Sequence, residues 1–177
     1  MSLLKEIQPE QATGKIAETY KMLQDSIGMV PNAFKLSSCS PELTELRTAF
    51  LGFYMQHKTI GFKLTAFIRL LVSDIHVCKY CIDTNTGILL QTGVSMEEIQ
   101  LARQNPNNAP LDEKDKKMLL LVLKIVKDSN SISAEDLDIV RNAGWTDAEI
   151  FEASFHGTSQ VASDILLNAF KVESDKF

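Results

Sequence analysis

Leu64, Phe67, Ile68, Leu71, Val72 and Ile75 recur at steps of three and four, the spacing that puts apolar side chains on one face of a helix. That helix runs out at Cys78-Lys79-Tyr80-Cys81, a stretch whose residues are reactive as well as structural. A buried helix ending at a cysteine pair is the constraint around which the rest of the chain must be built.

On either side the chain is punctuated by helix signals. Ile16, Ala17, Tyr20 and Leu23 predict a helix over residues 14–27, stopped by Gly28, because glycine tolerates the left-handed conformation past a helix end. Pro31 forces an extended approach, and Asn32 is placed to cap a short turn through Leu36. A capping hydroxyl at Ser40 followed by Pro41 predicts a helix to about His57. After an interruption at Gly61 the central helix takes residues 63–75, and the next begins at the cysteine pair and stops at Gly93. Ser95 and Glu98 form a capping box for a helix to about Arg103, and Asn105-Pro106-Asn107-Asn108-Ala109-Pro110 reads as a surface loop. Asp112 caps a helix over 113–127 that is apolar nearly all round, hence buried on several sides or at a subunit contact. Ser133 opens a helix ending at Gly144, and Thr146 with Glu149 opens a long one to about Phe170. No run alternates apolar and polar as a half-buried strand does. The expectation is all-α: a single domain over residues 1–177, built as a bundle of about eight helices.

Composition narrows the function. A formal charge of -5 and a pI of about 5.2 offer no basic footprint for nucleic acid or an anionic membrane. The most apolar run, Met118 to Val126, holds Lys124 and falls far short of the roughly 20 residues that span a bilayer. The opening residues lack the basic-then-apolar pattern of a secretory signal, so the expected compartment is the cytoplasm. Thiols stay reduced there, and a CxxC reads as redox or metal chemistry rather than as a structural staple. Zinc needs two more ligands, whereas Cys39, His57 and His156 are isolated in sequence, so no metal is expected. Ile82 follows Cys81, which excludes c-type haem attachment, and the absence of a glycine-rich phosphate loop leaves no cofactor expected.

The candidate catalytic residues are therefore Cys78 and Cys81. Residues three apart on a helical path share a face and are close enough to form a disulfide after a modest adjustment. A free thiol is only about 3% thiolate at pH 7, and a helix N-terminus shifts that by less than about one pKa unit, so a fast nucleophile needs help from neighbours. His76, which titrates near neutrality, Tyr80, a hydrogen-bond donor, and Asn85, which can hydrogen-bond a thiolate, are the supporting candidates, while Lys79 is expected to face water. Cys39 reads as a small buried filler, and Phe50, Phe53, Tyr54 and Phe62 as core. The small polar segment His156-Gly157-Thr158-Ser159-Gln160 points to close helix packing or to a pocket lining.

Lys63-Leu64-Thr65-Ala66-Phe67-Ile68-Arg69-Leu70-Leu71-Val72-Ser73, followed by Cys78-Lys79-Tyr80-Cys81, resembles the core of the alkylhydroperoxidase D and carboxymuconolactone decarboxylase superfamily. Val30-Pro31-Asn32-Ala33-Phe34 with Ser40-Pro41-Glu42-Leu43, and the stretch from Asp136 through Gly144-Trp145-Thr146-Asp147 and the final helix, resemble its peroxidase-related branch. The likeness covers most of the chain. It implies an all-helical, alkylhydroperoxidase D-like fold that assembles into homo-oligomers, trimers or hexamers, and a hydroperoxide substrate reduced by the cysteine pair. By the same resemblance Cys81 attacks the peroxide, Cys78 resolves it to a disulfide, and an external dithiol completes the cycle. The family's proton relay uses a glutamate twelve residues before the first cysteine and a histidine four after the second, positions held here by Ala66 and Asn85. The expected function is a thiol-dependent peroxidase-like oxidoreductase. The alternatives are a thiol-disulfide exchanger, a non-enzymatic helical binding module with a vestigial pair, and, more weakly, a carboxymuconolactone decarboxylase.

Overall fold

The computed structural model describes residues 2–175. Among them are nine α-helices and three short 3-10 turns, with no strand. The helices are α1 (Gly14–Ile27), α2 (Asn32–Ser37), α3 (Pro41–Met55), α4 (Phe62–Ile75), α5 (Lys79–Gln91), α6 (Met96–Gln104), α7 (Glu113–Lys127), α8 (Ala134–Asn142) and α9 (Asp147–Ala169). The helix beyond the eight expected is α2, where the short turn after Pro31 closes into six residues. Its cap also differs from expectation. Pro31 sits at the N-cap, and the free Asn32 N–H donates to the Asp175 carboxylate at 2.9 Å, a cap supplied by the chain's far end.

The described residues form two compact units. In the first, residues 2–56 with 167–175, Ile16, Tyr20, Leu23, Val30 and Phe34 make the core, and the Tyr20 hydroxyl donates to the Ile7 carbonyl at 2.9 Å. Gly28 ends α1 in the left-handed region at φ 78°, as its residue type allows. Ser40 stands at the N-cap of α3, but its hydroxyl makes no capping bond, so Pro41 at the first turn carries the start signal. Two sequence readings fail here. Cys39 is exposed rather than buried, and of the α3 aromatics Tyr54 is buried while Phe53 is exposed.

The second unit, His57–Leu166, is organised around α4. Its apolar stripe is only part of what it buries, since Thr65, Ala66, Leu70 and Ser73 are covered as well. Helix α4 is thus enclosed on most sides, which a one-face pattern does not disclose. Helix α7 adds Met118, Leu119, Leu121, Val122 and Leu123 to the same core, so its apolar surface is satisfied within the unit. Phe62, read as core, is exposed at the start of α4. The capping signals hold: Ser95 with Glu98, Ser133 with Asp136 and Thr146 with Glu149 exchange hydrogen bonds, and Asp112 accepts from Asp115 N–H at 2.8 Å. Trp145 is buried with its indole N–H donating to the Lys114 carbonyl at 3.0 Å.

Candidate active site

Helix α4 ends in a tight reversal that aims Cys78. His76 is the C-cap, Val77 follows in the left-handed region at φ 51°, and the Cys78 N–H donates back to the Ser73 carbonyl at 3.0 Å. This is a Schellman closure, made here by a β-branched residue where glycine is usual. Cys78 is at once the residue that seals α4 and the N-cap of α5, with Cys81 one turn into the new helix. Both thiols are buried. The Cys78 sulfur, the Cys81 sulfur and a carboxylate oxygen of Asp164 lie within 4.8 Å of one another.

Asp164 comes from α9 and stands in a ladder of polar residues, all buried except the half-buried Arg69. Helix α4 contributes Arg69 and Ser73, α5 contributes Cys81 and Asn85, and α9 contributes His156, Gln160 and Asp164, in each case at steps of four. Steps of four keep side chains on one face, so three polar stripes meet inside an otherwise apolar unit. In the upper rung Arg69 Nε donates to Asn85 Oδ1 at 2.7 Å and Arg69 Nη1 to His156 Nε2 at 3.2 Å. In the lower rung Ser73 Oγ donates to Asp164 Oδ1 at 2.9 Å and Gln160 Nε2 donates to the same oxygen at 2.8 Å. The other oxygen, Asp164 Oδ2, is buried without a hydrogen-bond partner.

The electrostatics follow from this packing. The Cys81 S–H donates toward the Cys78 sulfur, and with the Cys81 backbone N–H it lowers the Cys78 pKa against the cost of burial. The same contact, together with burial and the Asp164 charge, raises Cys81 strongly. The pair therefore gives up its first proton more easily than its second, and the contact favours the first anion on Cys78, at the helix N-terminus. Burial raises Asp164 above the usual carboxylate range, opposed by the polar groups around it, Cys81 first and then Gln160, Ser73 and Cys78. Burial also lowers Arg69 to about 10, which leaves it charged at neutrality, and a Cys81 anion would raise it. His156 is held neutral, its pKa lowered to about 3 by burial and then by the Arg69 charge. Because a guanidinium only donates, His156 Nε2 is the acceptor in that contact.

Of the sequence candidates, Cys78, Cys81 and Asn85 are brought together. Asn85 is buried, but its amide donates to the Cys81 carbonyl at 2.8 Å while its oxygen takes Arg69, so it braces the turn and links the thiols to the upper rung. Tyr80 is buried on α5. His76 is half-buried at the end of α4, and the groups acting most strongly on the two sulfurs are each other and Asp164. Lys79 is exposed and pairs with Asp83, as expected. Ala66 is buried in the apolar core. His57 joins Glu152 at 3.0 Å. Arg69, Ser73, His156, Gln160 and Asp164 were not singled out together, although their repeated four-residue spacing on apolar helices was a readable signal. In the segment at 156–160 Gly157 allows close packing, with Ile68 and Val122 against it, and His156 and Gln160 join the polar cluster. The cluster's three potential donors are one short of the four of a structural zinc site.

No family model matches this chain, and no curated protein sequence matches it. Solved structures do. An uncharacterized peroxidase-related protein from Ralstonia eutropha JMP134, described as an alkylhydroperoxidase AhpD core, aligns with TM-score 0.87 at 19% identity, covering 99% of this chain and 93% of that one. An uncharacterized peroxidase-related protein from Silicibacter sp. TM1040 aligns with TM-score 0.83 at 21% identity over 97% of this chain and 88% of its own. The debrominase Bmp8 aligns with TM-score 0.80 at 15% identity over 98% and 92%. At such identities the likeness is one of architecture: the chain has the all-helical alkylhydroperoxidase D-like fold, with a close cysteine pair at the start of α5.

Proposed function

We propose that this chain is a thiol-dependent oxidoreductase that reduces small hydroperoxides through Cys78 and Cys81, which cycle between dithiol and disulfide. The observation that carries the reading is the meeting of both sulfurs and a carboxylate within 4.8 Å at the N-terminal turn of a helix. The thiolate is the attacking species, and the surroundings favour the first anion on Cys78. We therefore place attack on Cys78 and resolution on Cys81, the reverse of the order the family resemblance implies. The Cys78 sulfur bonds to the distal peroxide oxygen as the O–O bond breaks, and the alkoxide leaves as an alcohol after protonation. Cys81 then displaces the sulfenic hydroxyl as water and closes the disulfide, which an external dithiol reduces. Sulfur is oxidised and the peroxide reduced by two electrons.

Burial bears on the substrate. Cys78 is 0% and Cys81 5% exposed, a setting that suits a small oxidant better than the disulfide of a protein partner. Peroxide consumption by purified protein with dithiothreitol tests the reading: Cys78→Ser and Cys81→Ser abolish turnover, and Cys39→Ser keeps it. No consumption by the wild type, or turnover surviving both site substitutions, sinks it. A bromopyrrole assayed in parallel separates it from debromination, the activity named for Bmp8. Self-association belongs to the same reading, since α3 exposes Leu43, Leu46 and Met55, apolar surface that a second copy would cover. Light scattering on the eluted protein gives the copy number.

A further inference from the structure

The family's two proton carriers are replaced by Ala66 and Asn85, neither of which can take a proton, yet resolution requires one to leave Cys81. The tertiary structure puts a different group there. Asp164 reaches both sulfurs from α9, is 0% exposed, and leaves Oδ2 without a hydrogen-bond partner while Ser73 and Gln160 hold Oδ1. A carboxylate fixed by one oxygen and bare at the other is built to exchange a proton rather than to make a static contact.

We propose that Asp164 is the acid–base residue of this site, taking the thiol proton of Cys81 as the disulfide closes and delivering it to the leaving group. The inference rests on the reading of the pair as redox-active, but not on peroxide as the oxidant. The Cys81 S–H and the helix end favour the first anion on Cys78. Once Cys78 is oxidised that anion is gone, and the Cys81 proton, which burial and the nearby charge hold tightly, has to go to a base. Burial raises the Asp164 pKa, which narrows the gap between this carboxyl and the thiol it serves. The titratable groups that act on it are Cys81 and Cys78 at the start of α5, beside the hydrogen-bonding Gln160 of α9 and Ser73 of α4, while Arg69 and His156 pair with each other in the upper rung. His156 stays neutral through the working range and so does not compete for the proton.

Methyl methanethiosulfonate tests this without peroxide. Attack by the Cys78 thiolate gives the S-methyl disulfide and methanesulfinate. Cys81, deprotonated by Asp164, then attacks the Cys78 sulfur, and methanethiolate leaves, protonated by the Asp164 acid. Mass spectrometry of quenched samples follows both steps in the full chain. Asp164→Asn is expected to leave the first step within a few-fold of wild type and to slow closure about 100-fold or more, with loss of the acid limb of its pH profile. Ser73→Ala keeps the carboxylate but removes a donor to it, so that limb is expected to move to higher pH; a merely structural role for Asp164 predicts no such movement. Closure in Asp164→Asn at the wild-type rate and pH dependence overturns the proposal. If that variant does not fold, an acid limb in Ser73→Ala unmoved from wild type overturns it instead. Normal closure kinetics in a protein that consumes no peroxide would instead defeat the peroxidase reading and leave Asp164 in place.

Discussion

Replacing Gly157 by alanine adds one methyl group where the second unit has no room for it. The new Cβ would lie closer than 3.0 Å to Val122 Cγ1 and 3.4 Å from Ile68 Cγ2. Val122 is 0% exposed and β-branched on a helix, where one χ1 rotamer dominates, so it cannot swing aside. Overpacking of this kind costs about 1–3 kcal/mol, and the rigidity of Val122 puts this site in the upper half of that range. Alanine recovers about 1 kcal/mol through helix propensity. The net expectation is a loss of about 1–2 kcal/mol, or roughly 2–8 °C in Tm for a chain of this size. Gly87→Ala in α5 is the control, because nothing lies within 4 Å of its added Cβ, and it is expected to gain up to about 1 kcal/mol. Urea unfolding followed by the fluorescence of Trp145, the one tryptophan and buried in the same unit, reads both variants. Pushing α9 away from Val122 of α7 also moves Asp164 relative to Ser73, so disulfide closure is expected to slow in Gly157→Ala and not in Gly87→Ala. A Gly157→Ala protein as stable as wild type would refute the packing argument.

Val77→Gly relieves a left-handed β-branched residue at φ 51°, a strain of roughly 1–2 kcal/mol offset in part by the backbone entropy of glycine. A net gain of up to about 1 kcal/mol in thermal unfolding is expected, and a loss of that size would show that the turn is held by something other than its backbone. His156 makes the second unit acid-sensitive: the unfolded chain protonates it near pH 6.5, while the folded protein holds it neutral down to about 3. The unfolded state therefore binds more protons over that window, and stability falls by about 1.4 kcal/mol per pH unit as pH drops through it. Urea midpoints between pH 6 and 4.5 check the slope, which His156→Gln, still an acceptor for Arg69, is expected to flatten.

The local parts of this structure were legible because their causes are local. Capping at Ser95, Ser133 and Thr146, the glycine stops at Gly28 and Gly93 and the proline start of α3 each depend on a few neighbouring residues, and most helices begin and end within a residue or two of their signals. The cysteine pair was legible for the same reason, as a spacing at a helix start. Exposure was less so, and Cys39, Phe53 and Phe62 were misplaced because hydrophobic character says what can be buried, not what is.

By itself, the sequence determined the helices, their ends and the placing of the cysteine pair, since backbone hydrogen bonding and capping act over single turns. Only the tertiary structure decided what surrounds the pair. Asp164 lies 91 residues from Ser73 along the chain and reaches it only through the tertiary packing of α9, which the missing side chain at Gly157 lets come close to Val122 of α7. The proton chemistry of a thiol depends on the charges and solvent within a few ångströms of it, and that distance is set by packing rather than by spacing in the chain.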